Sequence, residues 1–199
     1  MTVISKKVFE GIVIGGSWGS VPPLSCILSV LPSNFSIPVA VALHRSSDSE
    51  GFQKIFGTAE FALKLYEPND RDAFLPGRVF LAPTDYHMLI DSDKTICLST
   101  SDRTNNAIPS IDELFETAAD CFGDKLIGII LSGASKDGSR GLKKIKEKGG
   151  LTIAQNPQKA SAELMIRSPM ETGKVDYLFN PEQIGAFLIE LEKTSANAN

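Results

Sequence analysis

Three residues with the side chains of a serine hydrolase each follow an apolar stretch of this chain. Ser17, His44 and Asp137 come directly after, or in the loop after, the apolar runs 11–16, 37–43 and 126–131. Nucleophilic catalysis by serine needs a general base within hydrogen-bond reach and an acid that orients the base. The chain has only two histidines, and the other one, His87, begins a predicted hairpin strand. We therefore predict Ser17 as nucleophile, His44 as base and Asp137 as the orienting acid.

Each of these residues also has a simpler interpretation. A serine between glycines after a strand is typical of a phosphate-binding turn, although neither G-x-G-x-x-G nor G-x-x-x-x-G-K-[ST] is present. The pattern G-x-S-x-G does occur around Ser17, but alone it is a weak signal of a nucleophile. Asp137 has the alternative role of a helix N-cap. What favours catalysis is the shared position of the three residues, because ligands of open α/β sheets bind at the carboxyl ends of the strands.

The elements that must position these residues alternate between strand-like and helix-like patterns. Continuous apolar runs at 11–16, 37–43 and 126–131 predict strands buried on both faces, as in a parallel sheet. Between and after them we predict helices over 21–31, 51–56, 110–122, 139–148 and 181–193, a helix over 160–172 interrupted at Pro169, and strands over 61–66, 151–155 and 175–178. Three short strands over 78–82, 87–91 and 95–99 look like antiparallel hairpins inserted into this pattern. The predicted fold is a doubly wound α/β domain with a mostly parallel sheet.

Composition restricts the class of protein. The 199 residues, 42% of them hydrophobic, suffice for one domain with a sizeable core, and we predict a single domain over 1–199 with its core at about 8–193. The net charge of −4 makes nucleic acid an unexpected partner. Three scattered cysteines without a C-x-x-C pair predict neither a metal site nor disulfides. Without a signal peptide or an apolar run of about 18 residues, we expect a cytoplasmic protein with no membrane insertion.

Six motifs in one order carry a family resemblance. They are Ile14-Gly-Gly-Ser-x-Gly19, the strand ending in His44, Leu75-Pro-Gly-Arg-Val-Phe-Leu-Ala-Pro-x-Asp-x-His-Met88, Pro109-Ser-Ile-Asp-x-Leu-Phe115, Leu131-Ser-Gly-Ala-Ser-Lys-Asp-Gly138 and Ala154-Gln-Asn-Pro157. Together they resemble the catalytic domain of CheB, the chemotaxis receptor methylesterase, from about residue 8 to residue 193. The resemblance implies a doubly wound α/β fold and a triad of Ser17, His44 and Asp137, the residues reached above from the strand ends.

The resemblance also implies an activity. It is the hydrolysis of glutamate methyl esters, often with deamidation of glutamine, on the cytoplasmic helices of chemoreceptors, without metal or cofactor. The backbone N–H groups of Trp18 and Ala134 are the positional candidates for an oxyanion hole. His87 matches a family histidine near the site, where a substrate contact and a structural hydrogen bond are the two alternatives.

The chain departs from the family pattern near the site. Trp18-Gly-Ser20 stands where the family has Thr-Gly-Gly, Arg45 follows His44 in place of methionine, and Ile108 replaces an arginine. We also expect no receiver domain in this chain, so that a separate receiver or methyltransferase protein becomes a candidate partner. The alternative function is a non-catalytic module that keeps the fold and binds such a partner.

Overall fold

A seven-stranded parallel sheet forms the centre of the computed structural model, which describes residues 7–45, 55–56, 59–105 and 107–196. The strands lie in the order β3-β4-β2-β1-β7-β8-β9, and every pair of neighbours is parallel. Their bounds are β1 (Gly11–Gly16), β2 (Val39–Leu43), β3 (Lys64–Tyr66), β4 (Arg78–Leu81), β7 (Leu126–Ile130), β8 (Leu151–Gln155) and β9 (Tyr177–Phe179). This arrangement confirms the predicted doubly wound α/β class.

Helices cover both faces of the sheet. They are α1 (Val21–Ser29), α2 (Ile111–Phe122), α3 (Ser139–Glu147), α4 (Leu164–Glu171) and α5 (Pro181–Ala196), with short 3-10 turns at Gly123–Lys125 and Pro157–Lys159. Because side chains alternate along a strand, Ile12 and Ile14 join one core with α1 and α5. Val13 points the other way, into a second core with α2, α3 and α4. The middle strands β1, β2, β7 and β8 are buried along their whole length, which explains the continuous apolar sequences of β1, β2 and β7.

A two-stranded antiparallel hairpin lies outside the sheet. It consists of β5 (His87–Ile90) and β6 (Ile96–Ser99), with His87 opposite Ser99. The segment 78–82, predicted to belong with these strands, instead forms β4 and pairs in parallel with β2 and β3. That prediction was wrong because a four-residue strand carries too little periodicity to distinguish a sheet strand from a hairpin strand.

Other boundaries shifted as well. β3 occupies only the last three residues of the predicted strand 61–66, and β9 begins two residues later than predicted. α4 begins only at Leu164 and continues through Pro169 to Glu171, so the predicted interruption was wrong. The predicted helix 51–56 lies outside the described residues except for Ile55 and Phe56, which are helical. No helix in the described part of the chain is long and apolar enough to cross a membrane.

Candidate active site

The serine lies in a tight turn between β1 and α1. Its N–H donates to the Ser132 carbonyl at 2.9 Å, and its own carbonyl accepts from the Ser20 N–H at 3.0 Å and the Ser20 hydroxyl at 2.6 Å. Gly19 has φ +76°, and a Cβ there would lie 2.4 Å from the Cβ of Ser161. Only glycine combines that conformation with that close approach. Gly19 is therefore required by the turn that presents the half-buried Ser17 side chain.

Strand register brings His44 beside this turn. Gly16 pairs with Leu43 at the ends of the adjacent strands β1 and β2. Ser17 and His44 are the residues that follow these two strand ends. The His44 N–H donates to the Gly16 carbonyl at 3.0 Å, which extends the ladder by one residue. No hydrogen bond joins the Ser17 hydroxyl to another described residue. Catalytic hydrogen bonds are often formed only once substrate is bound, so this geometry is compatible with a nucleophile and its base.

The Asp137 side chain is completely buried and accepts five hydrogen bonds. His44 Nε2 and the Ile111 N–H reach Oδ2, each at 2.7 Å. The Asn105 amide at 2.9 Å, the Ser110 hydroxyl at 3.1 Å and the Asp112 N–H at 3.1 Å reach Oδ1. Three of these donors belong to the first turn of α2 and its N-cap, where the helix dipole also favours a negative charge.

This environment keeps Asp137 ionised. Burial alone would raise its pKa, but the hydrogen bonds from His44, the Ile111 N–H and Asn105 outweigh burial and lower the pKa to about 2. A carboxylate can only accept, so His44 must carry a proton on Nε2. The unprotonated Nδ1 then remains as the basic atom of the imidazole. Because the His44 side chain is only 16% exposed, the imidazolium formed by proton uptake would lie largely out of solvent beside a permanent negative charge.

Two backbone N–H groups near Ser17 are available to a ligand. Neither the Trp18 N–H nor the Ala134 N–H donates to an acceptor within the described chain, and both residues are exposed. They belong to adjacent loops, because Ser17 donates to Ser132, two residues before Ala134. The structure thus places the two predicted oxyanion donors on loops that are joined next to the serine.

His87 differs from the other predicted site residues. It has no exposed surface, its Nδ1 accepts from the Ser110 N–H at 3.1 Å, and its Nε2 lies 3.2 Å from the Asp102 carbonyl. A ring with one acceptor and one donor nitrogen used in this way is neutral. The geometry favours the structural alternative over a substrate contact, since His87 fixes the residue that caps α2.

Several site residues were not found from the sequence. The Asn105 amide also donates to Asp112 at 2.8 Å and thereby bridges two buried carboxylates. Burial raises the pKa of Asp112 and the charge of Asp137 adds to this effect, whereas hydrogen bonds from the Gly141 N–H and Asn105 oppose it. The family motif over 109–115 includes Ser110, whose hydroxyl accepts from the Glu113 N–H at the N-cap of α2, and Asp112, but no sequence pattern indicated Asn105.

Arg45, noted in the sequence as a departure from the family pattern, makes contacts that were not predicted. Its guanidinium donates to Glu67 at 2.9 Å and to the Ala82 carbonyl at 2.8 Å. These two residues directly follow β3 and β4, and Arg45 itself lies two residues beyond β2. The side chain, only 7% exposed, therefore ties together the ends of three neighbouring strands next to His44.

Among the described residues no group of three or more His, Cys, Asp or Glu side chains is arranged to hold a metal ion.

Comparisons with known proteins identify the family of this chain. A family model described as CheB methylesterase matches residues 12–188. A Leptospira interrogans protein, named provisionally as a protein-glutamate methylesterase/protein-glutamine glutaminase, is 42% identical over 94% of this chain and 97% of its own length. A Thermotoga maritima protein with the same two activities in its name is 34% identical, but the chain spans only 56% of its length. The crystal structure of the Thermotoga maritima CheB methylesterase catalytic domain superimposes with a TM-score of 0.86 at 32% identity, covering 92% of this chain and 98% of that domain.

Proposed function

The chain belongs to the CheB methylesterase family, and on that premise we propose that it is a protein-glutamate methylesterase with Ser17, His44 and Asp137 as its triad. One observation above all supports this proposal. A fully buried carboxylate with a lowered pKa holds one nitrogen of a histidine at 2.7 Å, and strand register places that histidine beside an accessible serine. This is the arrangement that activates a serine for acyl transfer.

In the first half of the reaction the Ser17 hydroxyl attacks the carbonyl carbon of the ester. His44 Nδ1 takes the hydroxyl proton as the C–O bond forms, and the tetrahedral oxyanion accepts hydrogen bonds from the N–H groups of Trp18 and Ala134. The intermediate collapses by breaking the bond to the methoxy oxygen. His44 returns its proton to that oxygen, and methanol leaves an acyl-enzyme on Ser17.

In the second half of the reaction, water hydrolyses the acyl-enzyme. His44 removes a proton from a water molecule, whose oxygen attacks the acyl carbonyl; the Ser17 oxygen then leaves and is reprotonated by His44. The products are glutamate and regenerated enzyme. The same steps applied to a glutamine side chain release ammonia, which accounts for the glutaminase activity that the names of the relatives include.

The proposed substrate is the methylated cytoplasmic helix of a chemoreceptor, and the proposed place of action is the cytoplasm. Control by a separate receiver or methyltransferase protein is part of the same proposal. Of the three departures near the site, Trp18 contributes only its main-chain N–H to the proposed mechanism, and Arg45 and Ile108 contribute no proposed catalytic atom.

Methanol release from a methylated chemoreceptor signalling fragment of the same organism tests this function. We expect release by the wild-type protein and none above background by Ser17→Ala. Thr152→Val is the matched control, since it removes a buried hydroxyl from β8 outside the site. If neither the wild-type protein nor Ser17→Ala releases methanol, the proposal fails and the binding-module alternative replaces it.

A further inference from the structure

Ser132 uses every polar atom that it has, although it is completely buried. Its N–H donates to Gln155 Oε1 at 2.9 Å and its carbonyl accepts from the Ser17 N–H at 2.9 Å. Its hydroxyl donates to the Trp18 carbonyl at 2.7 Å and accepts from the Ala162 N–H at 3.0 Å. One residue thus connects the serine turn, the end of β8 and the segment before α4.

Ser132 joins the two loops that carry the proposed oxyanion donors. Trp18 and Ala134, whose N–H groups are the proposed oxyanion donors, lie on different loops, and Ser132 belongs to one loop while holding the other. Its carbonyl fixes the N–H of the residue before Trp18, and its hydroxyl fixes the carbonyl of Trp18 itself. A Cβ on Gly19 would lie 3.2 Å from the Ser132 Oγ, so this hydroxyl is packed directly against the turn.

From these contacts we propose that Ser132 is the positioning residue that sets the spacing of the two oxyanion donors, with Gln155 holding Ser132 in place. The inference rests on the proposed function. Catalysis by main-chain donors depends on where they point, and a misplacement of about 1 Å can cost roughly 10²-fold in rate. Without the Ser132 hydroxyl, the Trp18 carbonyl loses this donor, and the peptide that carries the Trp18 N–H is held only through the bonds of the Ser17 carbonyl to Ser20.

Gln155 completes the support. Its side chain is 1% exposed, and its amide Nε2 donates to the Lys159 carbonyl at 3.1 Å while Oε1 accepts from Ser132. This fixes the direction of the amide, so that its oxygen faces the Ser132 N–H. Changing Gln155 therefore disturbs Ser132 from the side away from the nucleophile, without touching the turn.

The test compares Ser132→Ala with the control Thr152→Val by steady-state methanol release and by inhibition with phenylboronic acid, which forms a tetrahedral adduct on the nucleophilic serine. We expect Ser132→Ala to lower kcat by about 10²-fold with KM unchanged, and to weaken boronate inhibition by a similar factor. Thr152→Val should leave both quantities near wild type. A residue with a purely structural role would not change kcat and boronate affinity together.

Gln155→Met carries the test if Ser132→Ala does not fold. It should lower kcat by about tenfold at constant KM, since one bond to Ser132 is lost. An active wild-type protein whose Ser132→Ala and Gln155→Met variants behave like Thr152→Val overturns the inference and leaves the proposed function intact. A wild-type protein that releases no methanol overturns the proposed function, and this inference with it.

Discussion

The two sides of the site are built in opposite ways. On the acid side, Asp137 has no exposed surface and five hydrogen-bond donors, three of them from the start of α2 and its N-cap. On the nucleophile side, Ser17 is half-buried, its hydroxyl has no partner among the described residues, and the adjacent Trp18 indole is 74% exposed. Asp137 is held in place by the fold, whereas the Ser17 hydroxyl is left for a bound substrate.

The two sides are therefore under different constraints: folding stability restricts the residues around Asp137, whereas the substrate restricts the side chains beside Ser17. A buried charge costs several kcal/mol unless it is fully hydrogen-bonded, so every donor around Asp137 is constrained by stability as well as by catalysis. The Trp18 side chain carries no such constraint, because the turn uses only its backbone. We therefore expect changes on the acid side to affect both stability and rate, and changes at Trp18 to affect substrate binding.

Asp137→Asn should produce the largest effect. The amide would present a donor to His44 Nε2, forcing the proton onto Nδ1 and removing the base; the expected loss in kcat is about 10⁴-fold. Asp112→Asn is the matched control, because Asp112 is a second buried carboxylate, in the first turn of α2, that does not contact His44. Methanol release by both variants measures the difference, and a loss below about tenfold for Asp137→Asn would contradict the assignment.

Acid unfolding should reveal the same asymmetry in stability. The folded-state pKa of Asp137 is about 2, below its ordinary value of 3.8, so its ionisation stabilises the native state above about pH 4. That contribution, roughly 2 kcal/mol, is lost as the pH falls towards 2. Urea unfolding at pH 5 and pH 3 detects about half of this loss, roughly 1 kcal/mol, and the decrease should be smaller in Asp137→Asn. Equal decreases in the two proteins would show that other carboxylates dominate.

The nucleophile side was more accessible to sequence analysis than the acid side. Ser17 and His44 follow strands buried on both faces, whose apolar runs are long enough to recognise, and the register of β1 and β2 then places the two residues side by side. Asp137 was predicted at the correct sheet edge, but its donors were not. The Asn105 bridge depends on a loop residue with φ +53°, and the bonds of Ser132 and Arg45 join segments far apart in the sequence. Such contacts leave no periodic pattern.

Arg45→Met tests the contacts that join the strand ends next to His44. The substitution leaves the buried Ala82 carbonyl without its donor and removes the partner of Glu67, so the free energy of unfolding should fall by about 1–2 kcal/mol. Glu67→Gln is the control, since it keeps a hydrogen-bond acceptor for the guanidinium and should cost less. Urea unfolding at neutral pH measures both variants. If Arg45→Met is as stable as the wild type, the contact does not hold the strand ends together.

Trp18→Thr should have the smallest effect on the protein and a selective one on the substrate. Because the indole is 74% exposed, the free energy of unfolding should change by less than about 0.5 kcal/mol. The backbone N–H stays in place, so kcat should be unchanged. If the substrate is the proposed receptor helix, an exposed aromatic side chain beside the nucleophile can pack on it, and its loss should raise KM by about fivefold, equivalent to about 1 kcal/mol.

Val30→Thr provides the control for this last comparison. Val30 is 47% exposed, but it lies at the C-terminal end of α1, whereas Trp18 precedes the N-terminal end of the same helix. Replacing it should leave both kcat and KM at wild-type values. A KM that falls in Trp18→Thr would mean that the indole obstructs the substrate. The exposed Trp18 side chain would then limit access to Ser17. A KM that rises, with kcat constant, would make Trp18 part of the substrate-binding surface while Asp137 and its donors supply the chemistry.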